Sequence, residues 1–252
     1  MRLGASLPHT PASARRCGSR SLEPLGRFSA VTEPTHVSTA RAVYDATAEH
    51  YAQTVGTEVS SAFEAPLDRA LLTAFIELLG MQPGRVADVG CGPGRVAALL
   101  ATHGLEVVGV DIAAAMLTMA RRAHPEIRFE EGSLTTLPFQ DRSLAGAVCW
   151  YSIIHTPPDH LGGVCSELRR VLADGAPLLV AFQAGEGEGV HRSDAYGSGL
   201  PMTSYRHSPE AVARSLAAAG LRAHAQTVRE PELDHESTPQ AFILARSATP
   251  GS

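Results

Sequence analysis

The chain has 252 residues, 44% of them hydrophobic and 19% charged, with a formal net charge of −5. That composition is ordinary for a globular protein, and the length suits one large domain or two small ones. All 21 basic residues are arginine, so a Schiff-base enzyme, a complete P-loop and a kinase with its phosphate-pairing lysine are excluded.

Residues 1–30 hold five arginines (Arg2, Arg15, Arg16, Arg20, Arg27) against one acid, Glu23, among many Ser, Pro and Gly. They contain no apolar signal-peptide core. Such a start resembles an organellar transit peptide, but also an untidy bacterial extension or a start codon assigned too early, and the latter is favoured. Residues 1–36 are expected to be a disordered extension, 37–247 one domain and 248–252 a tail. Without residues 1–30 the chain keeps 16 arginines against 25 acids, a balance that argues against a nucleic-acid partner. No uncharged apolar run approaches the roughly 18 residues that span a bilayer, and no membrane partner is expected. Cys17, Cys91, Cys149 and Cys165 form no Cys-x-x-Cys pair, so no metal site is expected. Buried thiols in a reducing cytoplasm are the better reading. The sequence does not reveal the oligomeric state.

Val37 to Gln53 can form a helix carrying Tyr44 and Tyr51 on one face. Residues 63–79 read as an amphipathic helix ended by Gly80. Strands and helices then alternate: strand 86–89, helix 95–102, strand 106–110, helix 113–123, strands 127–130 and 144–150. A helix over 158–172, a strand over 177–182 and a helix over 208–219 follow, the last with Ser208 as N-cap and Pro209 in its first turn. Two strands, 221–229 and 240–246, finish the chain. The fold class expected is α/β: a Rossmann-like, doubly wound, seven-stranded sheet with helices on both faces and an antiparallel final strand. Residues 184–207 read as a long polar, Gly-rich loop with Tyr196, Met202 and Tyr205, and long loops are often functional.

The segment Val86-Ala-Asp-Val-Gly-Cys-Gly-Pro-Gly-Arg95 runs a strand into a glycine turn that opens a helix. In an open α/β sheet this is where ligands bind. The spacing is G-x-G-x-G (Gly90, Gly92, Gly94), not the dinucleotide G-x-G-x-x-G. Asp88 stands two residues before the first glycine, where a pyrophosphate gains nothing from a carboxylate. Asp111 ends the second strand, where an acid takes a ribose diol. Two acids flanking a glycine turn suit a nucleoside with a cationic tail and no phosphate, and S-adenosylmethionine is that molecule.

Residues 37–247 resemble a class I S-adenosylmethionine-dependent methyltransferase of the small-molecule type. Asp88–Gly94 matches the family's first motif, and Gly109-Val-Asp111 with Met116-Leu117 its second. Gly132–Phe139 resembles its G-D-x-x-x-L-P-F segment, and Tyr44-Asp45 with Tyr51 its N-terminal lid helix. By that resemblance S-adenosylmethionine is the cofactor. Asp88 lies near the methionine amino group, and Gly90, Cys91, Gly92 and Gly94 pack on the methionine moiety. Asp111 and Ile112 bind the ribose side, Met116 lies on the adenine, and Ser133 and Leu134 meet its edge. Tyr44 closes over the sulfonium, and Trp150 and Tyr151 line the methyl-transfer side. Two departures stand out: Ser133 replaces the usual Asp, and Leu144-Ala145 replaces a Phe-Asp pair.

The expected activity is methyl transfer to an O or N of a small-molecule acceptor. Methyl transfer needs proximity and orientation, and a base only where the acceptor must lose a proton. His155, after the fourth strand, is the first candidate for that base. The competing reading is that it only positions substrate or hydrogen-bonds the lid. Tyr51, Gln183, His191, Tyr196 and Tyr205 are candidate acceptor contacts, with core packing or a surface loop as the bland alternatives. A non-catalytic S-adenosylmethionine-binding module is the main alternative function. An NAD-dependent oxidoreductase is disfavoured by Asp88 and the loop spacing. A nucleic-acid methyltransferase is disfavoured by the acidic core and by the lack of an Asn/Asp-Pro-Pro-Tyr motif.

Overall fold

Strand β1 (Arg85–Val89) is buried from its second residue on, and the whole sheet is organised around it. The computed structural model describes residues 33–80 and 84–249. In chain order they form α1 (Thr35–Val55), α2 (Pro66–Leu79), β1, α3 (Arg95–Thr102), β2 (Glu106–Asp111), α4 (Ala114–Ala123), β3 (Arg128–Glu131) and β4 (Leu144–Trp150). Then come α5 (Leu161–Val171), β5 (Pro177–Gln183), β6 (Gly189–Arg192), β7 (Met202–Tyr205), α6 (Pro209–Ala218), β8 (Leu221–Arg229) and β9 (Gln240–Ser247). The seven-stranded sheet has the order β3-β2-β1-β4-β5-β9-β8. β3, β2, β1, β4 and β5 are parallel, and β9 inserts antiparallel between β5 and β8. The α/β doubly wound class read from the sequence is the class observed.

The central strands are near-continuous apolar runs because both of their faces are covered. One cluster joins Val89, Val110, Ala147, Val180 and Ile243 to Leu168 of α5 and Leu216 of α6. The other joins Val86, Val148, Leu179 and Phe242 to Phe75 of α2 and Leu100 of α3. Helix ends are tied down locally. Ser208 caps α6 by accepting from Ala211 N at 3.3 Å. α4 has no side-chain cap of its own, and Asp45 of α1 supplies one by accepting from Ala115 N at 2.9 Å. That bond fixes α1 across the carboxyl end of β2.

Three expectations change. The first helix begins at Thr35, so residues 33–36 belong with the folded unit; residues 1–32 and 250–252 lie outside the described residues. The second helix begins at Pro66 and not at 63, because Pro66 sets its first turn and Asp68 receives Ala65 N at 3.1 Å. Residues 184–207 hold a two-stranded antiparallel hairpin, β6 with β7, and a 3₁₀ turn at Ala195–Gly197.

Candidate active site

The turn after β1 is shaped by close approach. Gly90 has φ +77°, and a Cβ there would stand 2.2 Å from Ser152 Cβ, so only glycine fits. Gly90 N and Cys91 N both donate to Val110 O, at 2.7 and 3.0 Å. Gly92 N donates to Asp111 Oδ2 at 2.8 Å, while Asp111 Oδ1 receives Ala113 N at 2.9 Å. The β2 carboxylate thus stitches the glycine turn to its own strand end. Burial pushes its pKa up, against the pull of those amides.

Beside this turn, at the carboxyl ends of β1, β2, β4 and β5, opens a cavity of about 390 Å³. Of the residues singled out from the sequence, Gly90, Gly92, Asp111, Ile112, Met116, Ser133 and Leu134 line it. So do Tyr44, Tyr51, Trp150, Tyr151, His155, Gln183 and Tyr196. Asp88 and Cys91 instead line a small adjoining recess with Gly92 and Trp150. Asp88 Oδ2 accepts from Ala97 N in the first turn of α3 at 2.9 Å. Burial pushes its pKa up to about 7, opposed by the Ala97 hydrogen bond and reinforced by Asp111.

Other expected site residues lie elsewhere. Gly94 lines neither space; it is the left-handed N-cap of α3, packed on Phe129 and His124. His191 is exposed on β6, with Nδ1 3.3 Å from Thr203 Oγ1. Tyr205 stacks on His207 at 6.2 Å and stays off the cavity wall. The cause is the hairpin, whose alternation turns these two side chains away.

The roof is an aromatic cluster. Tyr44 of α1 meets Tyr51 edge-on at 5.7 Å, stacks with Tyr196 at 5.8 Å and contacts the His155 ring at 5.5 Å. Tyr44 Oη lies 2.8 Å from His155 Nε2, and His155 Nδ1 lies 3.1 Å from Thr203 O. A carbonyl only accepts, so in the neutral ring Nδ1 carries the proton and Nε2 is the acceptor. Tyr44 therefore donates to His155. Burial holds His155 down to about 4, against the raising effect of the Thr203 carbonyl. Tyr151 and Tyr196 are two of three described non-glycine residues at positive φ, at +58° and +55°. Both stand on the cavity wall, where such strain collects.

The opposite wall was not legible beforehand. Phe63, Arg95, His235, Glu236 and Gln240 all line it. Arg95 NH1 pairs with fully buried Glu64 at 2.7 Å. Arg229 grips Asp68 through Nε and NH2, both at 2.7 Å, and Glu236 at 2.6 and 2.7 Å. Burial raises the Glu236 pKa, but Arg229 and the amides of Glu232 and Leu233 overcome that and hold it down to about 2. The one available signal was Arg95, which directly follows the glycine loop.

A carboxylate at a strand end, a glycine turn whose neighbouring Arg95 is already paired with buried Glu64, and an aromatic roof fit a nucleoside carrying a positive charge. The fold and the turn together resemble those of class I S-adenosylmethionine-dependent methyltransferases. Residues 86–175, about a third of the chain, match the family model described as "Methyltransferase domain". A demethylmenaquinone methyltransferase of Beutenbergia cavernae is 34% identical over 116 residues, 46% of this chain and 48% of that protein. The chain thus spans about half the length of that curated relative. An N-demethylindolmycin N-methyltransferase of Streptomyces griseus is 29% identical over 64% of this chain and 79% of its own. Among solved structures, 1,6-didemethyltoxoflavin-N1-methyltransferase of Burkholderia thailandensis superposes with a TM-score of 0.64 at 20% identity. That likeness covers 85% of this chain and 89% of the other. Among the described residues no helix is long and apolar enough to cross a membrane.

Proposed function

We propose that this protein is an S-adenosylmethionine-dependent methyltransferase acting on an O or N of a small-molecule acceptor. The observation that carries the reading is the cavity itself. It runs from Asp111 and Met116 beneath the Tyr44 roof to the aromatic wall at Trp150 and Tyr151. When bound, the cosubstrate supplies an electrophilic methyl group on a sulfonium. Asp111 receives the ribose hydroxyls through lone pairs its two amide bonds leave free. Met116 and Leu134 flank the adenine, and Ser133 offers a hydroxyl. Asp88 faces the amino group from the adjoining recess. The acidic lining and the covered roof hold a cation and exclude water. The buried free thiols Cys91, Cys149 and Cys165 support a reducing, cytoplasmic setting.

The test is a titration with S-adenosylhomocysteine followed by thermal unfolding. At 100 times Kd, binding adds about 2.7 kcal/mol, a shift of roughly 5–10 °C for a chain of this size. No shift sinks the assignment. Asp88 adds a pH signature. Its raised pKa means that the ligand-free protein holds a proton there that the unfolded chain releases. This stabilises the fold at low pH and is lost as pH rises through about 7. The ammonium of the ligand needs the ionised form. Affinity is therefore expected to rise about tenfold from pH 6 to pH 8, and Asp88→Asn to flatten that rise.

A further inference from the structure

The Tyr44–His155 bond decides which acceptors the cavity can serve. Neutral His155 has a single ring lone pair, on Nε2, and Tyr44 already occupies it. The histidine therefore does not meet an acceptor proton directly. The group that does is Tyr44 Oη, on the cavity wall, which donates to His155 and, with the Tyr196 hydroxyl also against it, keeps one lone pair for the acceptor. The charges around the cavity act in the same direction. Asp111 and Glu236 line it, and Glu64 and Asp68 stand behind it, against Arg95 and Arg229. Both guanidiniums are already paired with these carboxylates, so an anionic acceptor meets no unpaired guanidinium on this wall. An alkylammonium is held protonated by the same acids, and a protonated amine has no lone pair with which to attack. The lining also offers the flat rings of Phe63, Tyr51, Trp150, Tyr151 and Tyr196, beside His36, His50, His235 and the amides of Gln183 and Gln240.

We infer that the acceptor is an uncharged aromatic hydroxyl compound whose hydroxyl meets Tyr44 Oη and loses its proton through Tyr44 to His155. This rests on the methyl-transfer reading above. The acceptor O–H bond breaks and its proton passes to Tyr44 Oη, while the Tyr44 proton moves to His155 Nε2. The acceptor oxygen bonds the methyl carbon as the carbon–sulfur bond breaks and its electron pair stays on sulfur. The positive charge lost from sulfur ends on His155, whose burial favours prompt release of the proton to solvent once the roof opens.

The experiment is calorimetry on protein saturated with S-adenosylhomocysteine, using 1-naphthol, 1-naphthylamine and 1-naphthoate as probes. The expected order is 1-naphthol at least about tenfold tighter than either other probe, with that preference lost in Tyr44→Phe, because one hydrogen bond is worth about that much. With S-adenosylmethionine, 1-naphthol is expected to yield its methyl ether. Tyr44→Phe is then expected to lower kcat about 100-fold or more with a much smaller change in KM. Failure of 1-naphthol to bind, equal or tighter binding of 1-naphthoate or 1-naphthylamine, or bound 1-naphthol left unmethylated each overturns the inference. These outcomes leave the cofactor reading intact if S-adenosylhomocysteine binds. Absence of that binding overturns the cofactor reading first.

Discussion

Asp111→Ala is expected to abolish measurable S-adenosylhomocysteine binding, a loss of at least about 100-fold. Two effects combine. On the proposed reading the carboxylate at the β2 end takes the ribose diol, and hydrogen bonds to a charged group are worth about 1.5–3 kcal/mol each. It also holds Gly92 N at 2.8 Å and Ala113 N at 2.9 Å, so its removal releases the glycine turn. Asp111→Asn separates these effects. An amide oxygen can keep one backbone bond but not both, so binding is expected to fall by an intermediate amount. Isothermal titration of the three proteins checks the order. Equal affinity in wild type and Asp111→Ala would remove Asp111 from the site.

Arg229→Ala is expected to produce the largest loss of stability. The guanidinium lies between two buried carboxylates, Asp68 and Glu236, with side-chain exposures of 8%, 1% and 5%. Removing it leaves two like charges facing each other without water. Breaking a buried pair in this way costs about 3–5 kcal/mol, or roughly 8–15 °C in Tm. The wild-type contribution of Glu236 is present above the usual carboxylate range and is lost as pH falls through about 2. In the variant the sign reverses for Glu236, because burial raises its pKa once the Arg229 partner that held it down is gone. The variant's deficit is expected to shrink as pH falls toward 4, in thermal melts across that range. A deficit under about 1 kcal/mol at pH 7 would mean that the network contributes only shape.

The parts legible in the sequence are those set by neighbouring residues. Val86–Val89 reads as a buried strand because it is short, apolar and followed by glycine, and Asp111 is visible because it ends the next such run. Ser208-Pro209 announces a helix start by cap chemistry alone. What stayed hidden depends on partners far apart in the chain. Arg229 and Asp68 are 161 residues apart, and their pairing leaves no local trace. The Tyr44–His155 bond spans 111 residues and is anticipated only in the reading in which His155 hydrogen-bonds the lid. The β6–β7 hairpin was missed because each strand is four residues long and sits among glycines and charges, with no alternation strong enough to outweigh a loop. That miss misplaced His191 and Tyr205, which its register turns from the cavity. Phe63 was read as helix core by its spacing with Leu67. Pro66 starts the helix three residues later and leaves Phe63 to pack against His235 at 4.9 Å.

The central claim is that the cavity at the ends of β1, β2 and β4 is built for a phosphate-free nucleoside cation and not for a dinucleotide. Parallel calorimetric titrations of the wild-type protein with S-adenosylhomocysteine and with NAD test it most directly. One S-adenosylhomocysteine is expected to bind per chain, with no heat from NAD beyond dilution. Saturable NAD binding in the absence of S-adenosylhomocysteine binding would contradict it.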